Sequence, residues 1–266
     1  MICFREISEL LGIKDRFAFA LDALAGLLIL FMIVSLFYLY VAVGARWSLV
    51  AEALFSERVI AALVVSVSSS TLVGFLAVAA VIPTAYVLTY RDFKVKSLLE
   101  TLLIEFPQTF PPATVGLVYL LMLGPGSPIN LAYTYWAVII AKFYVSAPFA
   151  MSFTLRRFRE IHRSGLDTIA KSLGARARHI LLWILLPLSS KDLVAGFSLT
   201  WARAMGEVAA TLIFAGAIPW KTEIFPAVVY LTSTESPQVA LATSVIAALL
   251  SIGALLSFKW IAREKR

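Results

Sequence analysis

In the largely apolar stretch 188–217, which also carries Lys191 and Asp192, Arg203 and Glu207 stand four residues apart, a spacing that places both on one face of a helix. If lipid surrounds that helix, such a pair is either a transport element or a salt bridge within the bundle, and the salt bridge is the simpler reading. Lys142 lies in another apolar stretch and reads as a side chain that snorkels to the interface. The run Ser66, Ser68, Ser69, Ser70 and Thr71 offers hydroxyl donors, with helix packing the simpler use for them. The single cysteine, Cys3, cannot form an internal disulfide, and His162 and His179 lack ligand spacing, so no metal is assigned. The chain has no GxxxxGK[ST] phosphate cradle and no HExxH motif, and its apolar stretches hold no Ser/His dyad or paired aspartates. Neither catalysis nor a cofactor is expected in it.

A second candidate is the segment 161–187. Leu166 to Pro187 reads as two short helices, with Asp167 as the N-cap of the first and Gly174 as its stop. Ile169, Ala170 and Leu173 form an apolar edge, and the small residues Ala170 and Gly174, four apart, permit close approach of another protein. Two readings stand: a docking element, or an interfacial helix whose basic residues meet anionic headgroups.

The elements that carry these residues follow from composition. Of 266 residues, 61% are hydrophobic and only 15% charged, with a mean hydropathy of +0.89. A soluble domain needs about 25–35% charged residues on its surface, so a soluble enzyme is excluded. A span takes about 20 apolar residues. Six are expected, over about 17–43, 59–88, 98–123, 133–155, 188–217 and 237–261, while 161–187 is amphipathic. Pro83, Pro107, Pro111 and Pro112 should disturb the second and third spans, as a pathway wall or as packing kinks. Trp47, Trp136, Trp220 and Trp260 fall near span ends, as an interfacial belt requires.

The net charge of +7 is distributed by side rather than massed for nucleic acid. Arg5, Lys14 and Arg16 precede the first span; Arg91, Lys94 and Lys96 follow the second. Arg156, Arg157, Arg159, Arg163, Lys171, Arg176 and Arg178 follow the fourth, and Lys259, Arg263, Lys265 and Arg266 close the chain. Those are seventeen of the 23 Lys and Arg residues, against Arg46, Arg58 and Lys221 in the alternate loops. Both termini are expected to be cytoplasmic, and the first span to be retained as an anchor.

Three further stretches sharpen the reading: Phe106-Pro-Gln-Thr-Phe-Pro-Pro-Ala-Thr-Val-Gly116, Trp201-Ala-Arg-Ala-Met-Gly-Glu207 and Thr211-Leu-Ile-Phe-Ala-Gly-Ala-Ile-Pro219. With Gly174 and Pro187 thirteen residues apart, they resemble the permease subunits of ABC importers, in the molybdate and tungstate branch, with sulfate permeases as near relatives. The chain departs from the usual Glu-Ala-Ala start with Asp167, Thr168 and Ile169, and carries Val208 and Ala209 where an aromatic residue and glycine are common. The resemblance implies an all-α integral membrane protein with the type I ABC-importer permease fold and a cytoplasmic coupling helix. It divides the chain into 1–58, with the first span and an external loop, a permease core over 59–258 including 161–187, and a basic C-terminus over 259–266.

The resemblance further implies a second permease copy, two cytoplasmic ATPase subunits that use ATP and magnesium, and an extracytoplasmic oxyanion-binding protein. The whole would sit in a prokaryotic plasma membrane, in contact with lipid. Asp167, Ile169, Ala170, Leu173 and Gly174 would couple to the ATPase, with Arg163, Arg176 and Arg178 facing acidic ATPase surface or lipid. Arg203 and Glu207 would stand at the pathway or at an interface. The alternatives are a sulfate permease of the same family and a self-sufficient ion-coupled transporter in which Arg203 and Glu207 are the coupling groups.

Overall fold

The computed structural model describes residues 13–44 and 47–263. Cys3, Arg5, Arg46, Lys265 and Arg266 lie outside the described residues, as do the side chains of Lys14, Arg16, Lys259, Trp260 and Arg263. Among the described residues the chain is helical, with no strand. Helix α1 (Ile13–Val43) is followed by a short helix, Trp47–Leu54, and by α2 (Glu57–Tyr90). The third expected span is a relay rather than a rod. Lys96–Glu100 runs into a π-helical turn, Thr101–Glu105, then Phe106–Thr109, and only after Pro111 does α3 (Pro112–Leu123) begin. Next come α4 (Tyr135–Arg163), α5 (Leu166–Ser172) and a climbing segment, Ala177–Leu188, whose middle, Ile180–Leu185, is again π-helical. Helices α6 (Ser190–Met205), α7 (Ala209–Ala215), α8 (Phe225–Glu235) and α9 (Pro237–Arg263) complete the described chain.

By length and composition, α1, α2 and α4 can each cross a membrane, and Ala177–Leu188 with α6, bent by 69°, makes a fourth candidate. Among the described residues the third and fifth expected spans are interrupted rather than continuous helices. The fifth expected span stops at Met205, because the chain breaks at Gly206–Val208 before α7. Pro83, in contrast, sits inside an uninterrupted α2. Trp47, Trp136 and Trp220 are all at least half exposed.

Helices α2, α4 and α6 pack together as the centre of the fold. Hydrocarbon gives apolar faces little reason to associate, so close backbone approach and hydrogen bonds do that work. Gly74 admits the Phe197 ring, and Gly196 lies against the Ala150 backbone. The Thr200 hydroxyl enters the α4 ladder, accepting from the Ala150 N–H (3.1 Å) and donating to the Ser146 carbonyl (3.2 Å). Helix α1 stands apart: it packs on α9 and leaves Leu24, Phe31 and their neighbours exposed, as a lipid-facing span does.

At about 1.5 Å per residue the 34-residue α2 is about 50 Å long, and the 29-residue α4 is about 44 Å. Both exceed the roughly 30 Å of hydrocarbon, and Tyr90 and His162 lie at their ends, at the basic end of the bundle.

The contact of α3 with α7 leaves no room at Gly116, where an added Cβ would lie 2.6 Å from the Ala210 carbonyl oxygen and 2.9 Å from its Cα. Neither neighbour is a side chain that can swing away. Gly116→Val is expected to cost about 1–3 kcal/mol, read as a lower thermal transition of the detergent-solubilised protein. An unchanged transition would mean that α3 and α7 are not closely packed.

Candidate functional site

At the basic end, α4 finishes with Ser164 and Gly165, whose φ of +78° reverses the chain into α5. Gly165 occupies the N-cap position, so Asp167 is not the cap; it lies in the first turn, where a carboxylate favours the helix dipole. The C-terminal stop is as expected. Gly174 adopts φ +85°, its N–H donates to the Lys171 carbonyl, and the Ala175 N–H donates to the Ala170 carbonyl, both at 2.9 Å. This left-handed turn satisfies the last carbonyls of α5.

Helix α5 has two dissimilar faces. Inward, Ala170 packs against the apolar cluster that includes Ile161 and Phe158, and the Asp167 side chain is wholly buried. Its Oδ2 accepts from Lys171 Nζ at 3.1 Å and lies 3.0 Å from His162 Nδ1. An ionised carboxylate only accepts, so Nδ1 of His162 carries the proton in that contact. Burial pushes the Asp167 carboxyl up, but the hydrogen bonds from His162 and Lys171, together with their charges, outweigh it and hold the group below its ordinary range. Outward, Ile169 is 60% and Leu173 84% exposed, with Leu166 beside them at 46%. The apolar edge expected from Ile169, Ala170 and Leu173 is thus divided between the two faces. Arg163, Arg176 and Arg178 are exposed around it.

A second locus lies at membrane depth. Arg203 and Glu207 pair as their spacing implies, Nη1 to Oε2 at 2.8 Å, but Glu207 lies beyond the end of α6. Its Oε1 accepts from the Ala210 N–H at 3.0 Å, which supplies the first turn of α7 with an acceptor. Glu207 is buried, whereas the Arg203 side chain remains 32% exposed.

Lys142 does not snorkel. It is wholly buried, and Nζ donates to Ser69 Oγ (2.9 Å), Ser70 Oγ (3.1 Å) and the Ser66 carbonyl (3.4 Å). The Ser66 hydroxyl oxygen accepts from the Phe225 N–H at 2.7 Å. The serine run therefore packs helices, and it also solvates a lysine, a role that sequence reasoning missed. The available signal was a lone lysine in an apolar span beside a separate run of serines. Also missed was the bidentate pair of Arg58 with the buried Glu223, at 2.6 and 2.9 Å. Among the described residues no group of His, Cys, Asp and Glu could hold a metal.

The described residues thus form a helical bundle with helices apolar and long enough to cross a membrane, and a short helix bounded by glycines at its basic end. Residues 82–266 match the binding-protein-dependent transport system inner membrane component family, and the chain belongs to it. The chain is thus the membrane subunit of an ABC importer, and ATP hydrolysis falls to a separate partner. It is 31% identical over 194 residues to the probable transport system permease protein NifC of Clostridium pasteurianum, covering 68% of this chain and 66% of that relative. It is 25% identical over 252 residues to the molybdate/tungstate transport system permease protein WtpB of Thermococcus kodakarensis, covering 95% and 98%. Among solved structures, a bacterial ABC transporter involved in import of the acidic polysaccharide alginate superposes with a TM-score of 0.73, at 16% identity, over 93% of this chain and 94% of that one. The fold is that of type I ABC-importer permeases.

Removing the Glu207 charge separates structure from transport at the second locus. Glu207→Gln keeps an acceptor for Ala210 but leaves Arg203 without its counter-charge, and is expected to cost about 2 kcal/mol of stability, the partial exposure of Arg203 moderating the loss. Thermal unfolding and complex yield check this. A variant that assembles at normal stability yet transports nothing would make the pair a transport element instead.

Proposed function

We propose that the chain forms the membrane pathway for a tetrahedral oxyanion, molybdate or tungstate, in an importer driven by ATPase subunits bound at α5. The observation that carries the docking assignment is the exposure of Leu166, Ile169 and Leu173 on a helix bounded at each end by a left-handed glycine. Apolar side chains exposed together on a water-facing element mark a site that a partner covers. The substrate assignment is supported by the end-to-end likeness to the molybdate/tungstate permease. Residues 1–58 supply the first span and an external loop, 59–258 the permease core and 259–266 a basic tail, with both termini cytoplasmic in a prokaryotic plasma membrane.

The mechanism is conformational. A second copy of the chain completes the pathway, as symmetric assembly favours, and an extracytoplasmic binding protein delivers the anion. ATP binding closes the ATPase pair and draws the two α5 helices together. Because α5 is fixed to the end of α4, that motion tilts the spans between inward-open and outward-open states. Ile169, Leu173 and Gly174 form the face toward the ATPase, while Asp167 and Ala170 hold α5 on its own chain. Arg203 and Glu207 stand at the pathway or at the interface between copies.

Cellular molybdenum, tungsten and sulfate uptake at trace supply tests the reading in the intact system, without this chain, and with an inactivated ATPase. Molybdenum or tungsten uptake is expected to fail in both defective strains. Loss of sulfate uptake alone would replace the substrate, and uptake that persists without ATPase activity would replace the mechanism with ion-coupled transport.

The docking face has its own test. Gly174 has open space around it but a φ that side chains resist, so Gly174→Arg strains the turn and sets a charge beside Leu173. ATPase affinity is expected to fall about tenfold, measured by titration of ATPase onto the reconstituted permease. Unchanged affinity together with unchanged ATP-dependent uptake would remove Gly174 from the interface.

A further inference from the structure

Asp167 has more bonding capacity than its two nitrogen partners use. Oδ2 meets both His162 Nδ1 and Lys171 Nζ, while Oδ1 is buried with no hydrogen-bond partner among the described residues. At the end of α2 the Tyr90 hydroxyl is buried in the same condition. One is an acceptor and the other a donor, and Tyr90 packs on both His162 and Lys171, the partners of Asp167, within interaction range of the carboxylate but short of well-formed hydrogen-bond geometry in this conformation. Buried polar groups without partners are costly, so a nearby arrangement that joins them is favoured.

The Tyr90 ring is already part of the same cluster. It meets the His162 ring edge-on at 4.9 Å, lies 4.9 Å beneath the Lys171 ammonium, and packs tilted against Tyr86 at 4.8 Å. His162 belongs to α4, Asp167 and Lys171 to α5, and Tyr90 to α2. The contacts that fix α5 to α4 therefore also surround the last residue of the other long span, and only the hydroxyl is left without a bond.

We infer that Tyr90 is a positioning residue whose hydroxyl latches α5 to α2: a small displacement of α5 lets Tyr90 donate to Asp167 Oδ1. In the latched state one carboxylate joins α2, α4 and α5, so displacement of the docking helix moves both long spans together. In the unlatched state described above, α5 is tied by hydrogen bonds to α4 and to itself alone. The inference rests on the reading of α5 as the helix that receives the ATPase.

The test uses the complete transporter, reconstituted with its ATPase and binding protein, with wild-type chain, Tyr90→Phe, Asp167→Ala and the double variant. Tyr90→Phe keeps the ring on His162 and Lys171 and removes only the hydroxyl. Hydrogen exchange of amides 166–175, measured in nucleotide-free and ATP-bound states, is expected to rise about fivefold in one of them, the effect of losing one hydrogen bond. Molybdate or tungstate taken up per ATP hydrolysed is expected to fall by about the same factor with ATPase binding retained. The double variant should be no worse than Asp167→Ala alone, as two members of one bond require.

Wild-type exchange in both states, or additive effects in the double variant, would overturn the latch. A lower yield of assembled complex with an unchanged uptake-to-hydrolysis ratio would overturn it as well, since that is what a packing role alone produces. The exchange measurement needs no substrate, so failure of the wild-type transporter to import either oxyanion would count against the substrate assignment and leave the latch to be decided by exchange.

Discussion

Inside hydrocarbon no water is available to bind an N–H or C=O group, so every departure from regular helix must find its partner within the protein. Several polar side chains between the helices answer that constraint, although the buried Thr211 hydroxyl has no partner among the described residues. The turn between α6 and α7 leaves the Ala210 amide without a helical partner, and the Glu207 carboxylate accepts from it. The start of α8 is met by the Ser66 hydroxyl, which accepts from the Phe225 amide. Thr200 bridges a ladder position of α4 in both directions. The Thr222 hydroxyl accepts from the Ile218 amide and donates to the Ala215 carbonyl, closing the loop after α7. The irregular backbone a pathway needs is thus built from hydroxyls and one carboxylate already held by neighbouring helices.

The same constraint governs the charges. Ions at depth are expensive unless paired or solvated by protein, and each buried one here has its own provision. Glu207 has Arg203 and a backbone amide; Glu223 has Nε and Nη2 of Arg58; Lys142 has three oxygens from α2. These provisions connect different elements, so they fix relative position as well as charge. Arg58 joins the start of α2 to the loop before α8, and Lys142 joins the middle of α2 to α4.

What was legible in the sequence was local. Apolar length located α1, α2, α4 and α9, the i,i+4 spacing of Arg203 and Glu207 implied their pairing, and Gly174 marked the end of α5 through a conformation that glycine favours. Distance along the chain hid the rest. Lys142 meets serines 72 and 73 residues away, and Arg58 meets Glu223 across 165, contacts that no periodicity encodes. Orientation hid more. Asp167 has the residue type of an N-cap, yet the left-handed Gly165 starts the helix earlier and turns the carboxylate inward. The stretch 188–217 is apolar enough to read as one span, but Gly206 and the carboxylate after it convert its outer part into a turn and a separate short helix.

The two loci differ in what they allow to move. At depth, buried ions are bound from several sides, and breaking one contact exposes an uncompensated charge to lipid. At the basic end, α5 is one short helix with a buried anion on one face and exposed apolar side chains on the other. Water lies close enough there to take over the hydrogen bonds of His162 and Lys171, both of which are partly exposed, so rearrangement costs less than it would at depth. Helices α2 and α4, longer than the hydrocarbon is thick, bring that adaptable contact to the rigid one. A displacement at α5 can therefore be absorbed locally or passed along two spans, and the tightness of α5 against their ends decides which.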